Sequence, residues 1–304
     1  MYDLIIIGGG PASVSAGIYA ARKKIKTLLI TKNWGGQMSY APLIENYPGF
    51  ISVTGADLVN KFTEHLKKNE LDIKDSLNVE DIKKISDSEI EIKAGDQTYQ
   101  TKTCIITTGR IARKLNVPGG KEFLGKGISH CATCDAPLFQ DKIVAVVGGA
   151  NAGLGTALEL VEYASKVYIL ETTSKLQADE LLQEKIKKIN KVEIMTSVKI
   201  VEVKGDKFVS GLVYSNGTEG QNKELPVQGI FLAIGSVANS SFIKDMVELN
   251  EQREIKVDSK NQTSQPNIFA AGDVTDISHK QIIIAAGEGA KAALNVYDYL
   301  KKLK

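Results

Sequence analysis

Tyr2 to Ile7 is an almost uninterrupted apolar run, the pattern of a strand covered on both faces. It ends at Gly8-Gly9-Gly10-Pro11-Ala12-Ser13, and the positions beyond it, Ile18 and Ala21 among them, read as a helix. Ile25 to Ile30 supplies a second buried run. Strand, glycine turn, helix and strand in that order open a doubly wound sheet. Leu58, Phe62 and Leu66 recur at helical spacing and predict an amphipathic helix. Short alternating runs between Val79 and Tyr99 predict a small antiparallel meander, and Ile105 to Thr108 predicts another buried strand, closed by Gly109.

The pattern restarts at Lys142. Ile143 to Val147 predicts a strand, Gly148-Gly149-Ala150-Asn151-Ala152-Gly153 a turn, the residues up to about Ala164 a helix, and Val167 to Leu170 the next strand. Meander strands follow at Val198 to Lys204 and Phe208 to Tyr214, and Gly229 to Gly235 predicts a closing strand and turn. Both halves therefore run through a dinucleotide unit, a meander and a strand ending in glycine. Ile268 to Asp273 predicts a strand entering a turn, and Gln281 to Leu300 a long final helix.

The fold class implied is α/β, with two Rossmann-like, three-layer ββα dinucleotide-binding domains, the second inserted into the first. Residues 1–111 and 241–304 make the first and residues 112–240 the second, with candidate hinges where the chain crosses.

Composition narrows the function classes. A net charge of +2 is too balanced for a nucleic-acid binder, and lysine runs such as Lys67-Lys68 and Lys301-Lys302 read as solvated helix faces. No apolar run is long enough to span a bilayer and the first strand begins at residue 2, so no membrane or secretory segment is expected and a cytoplasmic location is. Three cysteines in 304 residues form no disulfide framework, which points to a reducing compartment.

Two of those cysteines carry the sharpest chemistry. Cys131-Ala132-Thr133-Cys134-Asp135 places two thiols where a small disulfide ring can close and reopen, with a carboxylate directly after them. Half a zinc site and a pair of inert buried thiols are the competing readings. Only Cys104, His65, His130 and His279 remain to complete a tetrahedral metal set, and none forms a closely spaced ligand pair, so no metal is expected. His130 reads as a plain surface histidine, and Cys104 receives no role. In the first glycine turn, Gly8 and Gly10 stand where a tight turn and close approach to a pyrophosphate are needed, with Ser13 small enough to pack helix on strand. Gly35-Gly36-Gln37 could fold over a cofactor, and Gly272-Asp273 places a carboxylate after a buried strand, suited to a cofactor's polyol.

With Ile6 to Ala12, Gly35 to Gln37, Ile44 to Pro48, Thr107 to Gly109, Cys131 to Phe139, Phe269 to Asp273 and Lys280 to Ala293 taken together, the whole chain resembles the low-molecular-weight thioredoxin reductases. Its second half resembles the flavoprotein component of alkyl hydroperoxide reductase. The resemblance implies a homodimeric flavoprotein with FAD in the first domain, a redox disulfide in the second and a thioredoxin-like protein as substrate. Carried over by position, Cys134 would meet the flavin, Cys131 would attack the substrate disulfide, and Asp135 would be the acid/base. Gly8, Gly10, Pro11, Ala12, Ser13, Thr31, Gly36, Gln37, Asn46, Thr108, Gly109, Gly272, Asp273, Lys280, Gln281 and Ile282 would hold the FAD.

The second glycine turn departs from that family. Ala150 replaces a glycine that lets the backbone approach a pyrophosphate, and Gly155 replaces a glutamate near the nicotinamide. Leu170 to Lys175 lacks the arginines that read a 2′-phosphate, which disfavours NADPH. Glu171 stands where an acidic residue would bind the ribose of NAD, which favours NADH. A branch of the family takes electrons from reduced ferredoxin. Ferredoxins are acidic, and the basic balance (pI ≈ 8.2) suits one. Ferredoxin is the expected donor, NADH the alternative, and a non-catalytic flavin redox sensor the reading of another class. Intact Cys131, Cys134 and Asp135 argue against the sensor.

Overall fold

The computed structural model describes residues 1–41, 44–216 and 222–303. It divides into two units, Met1–Ile111 with Val237–Lys304, and Ala112–Ser236. The expected crossing near 240 and the observed one differ by a few residues. Val237 to Ser240 stays with the first unit, where Ala238 is buried in the core and the Asn239 amide donates to the Gly109 carbonyl.

The first unit contains β1 (Tyr2–Ile7), α1 (Pro11–Arg22), β2 (Thr27–Ile30), α2 (Gly55–Lys67), β3 (Asp72–Lys74), β4 (Val79–Ser86), β5 (Glu89–Ala94) and β6 (Gln97–Ile106). β7 (Arg110–Ala112) leads out of it. The strands run in the order β3-β2-β1-β6-β5-β4. β1 through β3 and the distal half of β6 pair in parallel, while β4, β5 and the proximal half of β6 pair antiparallel. This corrects the expectation of a separate meander followed by a new strand. Gln97–Ile106 is one strand, long enough to close the meander and then enter the parallel sheet beside β1. α2 begins where Thr54 Oγ1 accepts from the Asp57 amide at 3.1 Å, and Leu58 and Leu66 are buried beneath it.

The second unit contains β8 (Ile128–Ser129), α3 (Ala132–Asp135), β9 (Ile143–Val147), α4 (Asn151–Leu160), β10 (Lys166–Leu170), α5 (Glu180–Lys187), β11 (Val192–Met195), β12 (Val198–Gly205), β13 (Val209–Asn216), β14 (Asn222–Leu225) and β15 (Gly229–Leu232). Its parallel sheet has the order β11-β10-β9-β15-β8, and β12-β13-β14 form a sheet of their own. The two units therefore do not repeat one plan throughout. Pro226, with no backbone N–H to donate, ends β14 before it could run on as β6 does.

β16 (Ser236–Ala238) leads back and pairs with β7. β17 (Ile268–Ala270) then joins the first sheet beside β6, and α6 (Ile282–Lys302) packs in the same apolar cluster as α1. Among the described residues no helix is long and apolar enough to cross a membrane.

Candidate functional site

In the first unit the parallel strands end in register. Ile7 pairs with Ile30 and with Ile106, and Ala270 pairs with Ile106. Gly8, Thr31, Thr107-Thr108 and Ala271-Gly272 therefore emerge together at the carboxyl edge of the sheet, where doubly wound folds bind ligands. Gly8 has φ +137°, and a side chain there would lie 2.4 Å from the Thr107 carbonyl oxygen, so only glycine lets β1 pass β6 here. Pro11 opens α1 where its missing N–H costs nothing, and Ser13 Oγ donates to the Gly10 carbonyl at 2.7 Å. Thr31 Oγ1 donates to the Asn33 carbonyl at 2.8 Å, and the Gly35 amide donates to the Gly9 carbonyl at 2.7 Å. Gly36 and Gln37 are thereby laid over the glycine turn.

The remaining residues close the edge. Gln37 Nε2 donates to the Arg110 carbonyl at 3.2 Å, Asn46 Nδ2 to Gln281 Oε1 at 3.2 Å, and Thr108 Oγ1 to the Asn239 carbonyl at 2.7 Å. Ala12 lies beside Gly272, and Ile282 begins α6. Burial pushes the half-buried Asp273 carboxyl up, and the charges of Lys280 and Arg110 restrain that rise. Both cations are held by Glu254, whose Oε1 lies 2.7 Å from Arg110 Nη1 and 3.2 Å from Lys280 Nζ.

The cradle is open where a dinucleotide needs room. A methyl built at Gly10 or Gly36 meets nothing nearer than 4.0 Å, and one at Gly109 meets nothing within 4 Å. Glycine amides, a half-buried carboxylate and a flanking ammonium fit the pyrophosphate and polyol of FAD.

In the second unit Cys131 and Cys134 are joined in a disulfide, at the start of the short helix α3. Cys134 is exposed and Cys131 half-buried. The Cys134 amide donates to Cys131 Sγ at 3.1 Å, a bond that favours a thiolate there once the disulfide opens. Ser129 Oγ donates to Asp135 Oδ2 at 2.5 Å and accepts from the Cys131 amide at 3.0 Å. Thr133 Oγ1 donates to Glu159 Oε2 on α4 at 2.9 Å. Partial burial holds the His130 imidazole below the usual histidine range, against the opposing hydrogen bond to the Leu232 backbone. Cys104 lies in the first unit on β6, fully buried, and burial pushes its thiol far up, so it is inert.

The second glycine turn can be compared with the first atom by atom. Ala150 has φ −90° and ψ −179°, and Gly10 has φ −87° and ψ −172°. The backbones match, so the Ala150 methyl fills the position that Gly10 leaves open. Glu171 is buried and its carboxylate is already engaged. Oε2 accepts from the Gly149 amide at 2.6 Å, and Oε1 from the Thr173 amide at 2.8 Å and from the Thr172 and Thr173 hydroxyls. Burial raises its pKa, but these bonds outweigh burial and hold it below the usual carboxylate range. Gly155 faces open space.

Sequence reasoning does not reach Ser129, Glu159 or Glu254. Ser129 has a weak signal, a hydroxyl at the end of a buried run just before the first cysteine. Glu159 and Glu254 have none, because the fold alone brings them to Thr133 and to Arg110 and Lys280.

A family model described as pyridine nucleotide-disulphide oxidoreductase matches residues 2–289. An alkyl hydroperoxide reductase component of Staphylococcus epidermidis is 42% identical over 300 residues, covering 98% of this chain. The chain spans 59% of that relative's length. A solved Lactococcus lactis thioredoxin reductase is 34% identical with a TM-score of 0.90, covering 99% of this chain and 100% of that one. A solved ferredoxin-flavin thioredoxin reductase from Clostridium acetobutylicum is 31% identical with a TM-score of 0.55, covering 99% and 98%.

Proposed function

The chain belongs to the pyridine nucleotide-disulphide oxidoreductase family, and from that membership we propose that it is an FAD-dependent disulfide reductase of the thioredoxin reductase type. Thioredoxin reductase relatives are FAD-binding flavoproteins, and the open positions at Gly10, Gly36 and Gly109 favour FAD here. The observation that carries the reading is the disulfide-bonded Cys131–Cys134 pair with Asp135 in the same hydrogen-bonded loop. The substrate is a thioredoxin-like protein, and the working form is a homodimer.

Bound FAD supplies the electron pair that opens the Cys131–Cys134 disulfide. The rest of the chemistry is thiol exchange by the chain's own residues. Asp135 takes the Cys131 proton, and Cys131 Sγ, as thiolate, attacks one sulfur of the partner's disulfide, and that S–S bond breaks. The leaving sulfur departs with the electron pair and takes its proton from Asp135. Asp135 then accepts the Cys134 proton, and Cys134 Sγ attacks Cys131 Sγ. The intramolecular disulfide re-forms, and the second partner sulfur leaves as a thiolate. One partner disulfide is reduced for each Cys131–Cys134 dithiol oxidised.

The electron donor is reduced ferredoxin. The Ala150 methyl crowds a pyrophosphate at the second turn, Glu171 has committed its oxygens to Gly149, Thr172 and Thr173, and the arginines that read a 2′-phosphate are missing. NADH is the alternative, favoured by the acidic residue at position 171. The test is anaerobic titration of the oxidised protein. Reduced ferredoxin is expected to bleach the flavin band, more slowly as salt is added, because the encounter is charge-steered. NADH and NADPH are expected to bleach it slowly or not at all. The double change Ala150→Gly with Gly155→Glu is expected to restore some reduction by NADH, because a side chain at 155 has room. Rapid, saturable bleaching of the unmodified protein by NADH would overturn the ferredoxin reading and leave an NADH-dependent reductase.

The cofactor reading has its own check. The purified protein is expected to be yellow, with an FAD absorption spectrum and FAD released on denaturation. A colourless protein that cannot be reconstituted with FAD would defeat the whole proposal. Turnover with a thioredoxin-like protein separates the enzyme from a flavin sensor.

A further inference from the structure

Ser129 is the last residue of β8, and its place is fixed by the pairing of Ser129 with Phe231 in the parallel sheet. Its side chain is buried, and its hydroxyl is the meeting point of three groups of the redox loop. It accepts from the Cys131 amide at 3.0 Å. It faces two acceptors, Asp135 Oδ2 at 2.5 Å and the Cys131 carbonyl at 3.3 Å, and has one proton to give. The contact to Asp135 Oδ2 is the shorter by far, so that proton lies toward the Asp135 side chain. The Asp135 amide closes the ring from the other side, donating to the Cys131 carbonyl at 3.2 Å.

We propose that Ser129 is a positioning residue for disulfide exchange, a fixed hydroxyl that holds the Asp135 carboxylate against the cysteine loop in the orientation from which it moves a proton to and from sulfur. This deepens the proposed function and rests on Asp135 being the acid/base. One oxygen of Asp135 is tied to Ser129 and the other is left to exchange the proton. β8 anchors the hydroxyl, so the carboxylate keeps its place when the S–S bond opens and the loop loses its covalent closure. Asp135 follows Cys134 in sequence, and without Ser129 its side chain would keep only the restraint of a four-residue helix.

The experiment uses the FAD-loaded protein, reduced anaerobically with one equivalent of dithionite and mixed with a small alkyl disulfide, whose leaving sulfur needs a proton and whose released thiol is counted after an acid quench. The readout is independent of the natural donor and partner. Ser129→Ala is expected to slow thiol release about 10-fold, the scale of losing a hydrogen bond to a carboxylate. Ser129→Thr, which keeps the hydroxyl, is expected to retain most of the rate. The deciding measurement is the double variant with Asp135→Asn. If Ser129 acts through Asp135, Ser129→Ala costs less than about twofold in the Asp135→Asn background. An undiminished cost in that background means that Ser129 only supports the loop, and it overturns the proposal. So does a Ser129→Ala rate equal to that of the unmodified protein while Asp135→Asn alone is slow. If Asp135→Asn alone is fast, the acid/base reading of Asp135 fails first and takes this proposal with it, which distinguishes the two failures. FAD content of each variant reports whether it has folded.

Discussion

Replacing either Cys131 or Cys134 with serine is expected to abolish reduction of a thioredoxin-like disulfide, with FAD content unchanged. The two cysteines belong to the second unit and the residues proposed to hold FAD to the first, so the proposed flavin site is expected to keep its hydrogen bonds in either variant. A serine hydroxyl cannot form or break a disulfide, so there is no partial activity to retain. The variants should also fail differently. Cys134→Ser leaves Cys131 able to attack the partner and removes the thiol that resolves the product. A stable mixed disulfide with the partner should accumulate and appear as one heavier band on a non-reducing gel. Cys131→Ser should give little or none, because its remaining thiol lacks the amide hydrogen bond that Cys131 Sγ receives from Cys134. Multiple-turnover activity in either variant would sink the disulfide mechanism.

The second large effect is expected at Asp135. Asp135→Asn keeps the shape of the side chain and a hydrogen-bond acceptor for Ser129, and it removes the ability to carry a proton. Turnover with the partner should fall by roughly 10²–10⁴, the usual worth of a positioned acid/base. The disulfide should still form, and the reduced protein should still show its thiols. Steady-state kcat at several pH values, beside a count of reactive thiols, checks this. A kcat within a few-fold of the unmodified protein would remove Asp135 from the mechanism. Asp135→Asn tests the proton while the cysteine changes test the sulfur, so the pair separates two roles that a single assay of a deletion would merge.

Much of this molecule is legible in the sequence because its signals are local. The uninterrupted run at Tyr2–Ile7, the glycine turn after it and Pro11 at the helix start announce their element within a dozen residues, and the structure has them at those positions. The Cys131-x-x-Cys134-Asp135 loop is legible for the same reason. Continuity is not. Gln97–Ile106 reads as an alternating stretch followed by an apolar one, because its first half has one face in solvent and its second half is buried on both. A change in burial along one strand looks like two strands. Side chains that meet only through the fold are equally hidden. Nothing in the neighbourhood of Glu254 announces Arg110 or Lys280, and the bond from Thr133 to Glu159 needs α3 and α4 in place. The engagement of Glu171 is hidden too, since an acidic residue at that distance from a glycine turn has the same spelling whether it is free for a ribose or bound to its own loop.

The order in which the sheet is assembled has a consequence for how the chain is made. Synthesis runs from the amino end, and domains generally fold as they emerge. Residues 112–236 are contiguous and carry their own apolar clusters, so they can complete their structure while the last strand and helix are still in the ribosome. The amino-terminal portion has no such freedom. Its central strand β6 has β17 as a neighbour, and α1 shares its core with α6, both contributed by residues 268–302. The proposed cofactor cradle draws on Gly8 through Asn46 and again on Gly272 through Ile282, so it cannot be complete until residue 282 has left the ribosome. On the proposed FAD reading, uptake of the cofactor is expected to follow the emergence of those residues. β1 to β6 are therefore made before the strand and helix that complete them, and the edge of β6 that β17 covers stays unpaired in the interval.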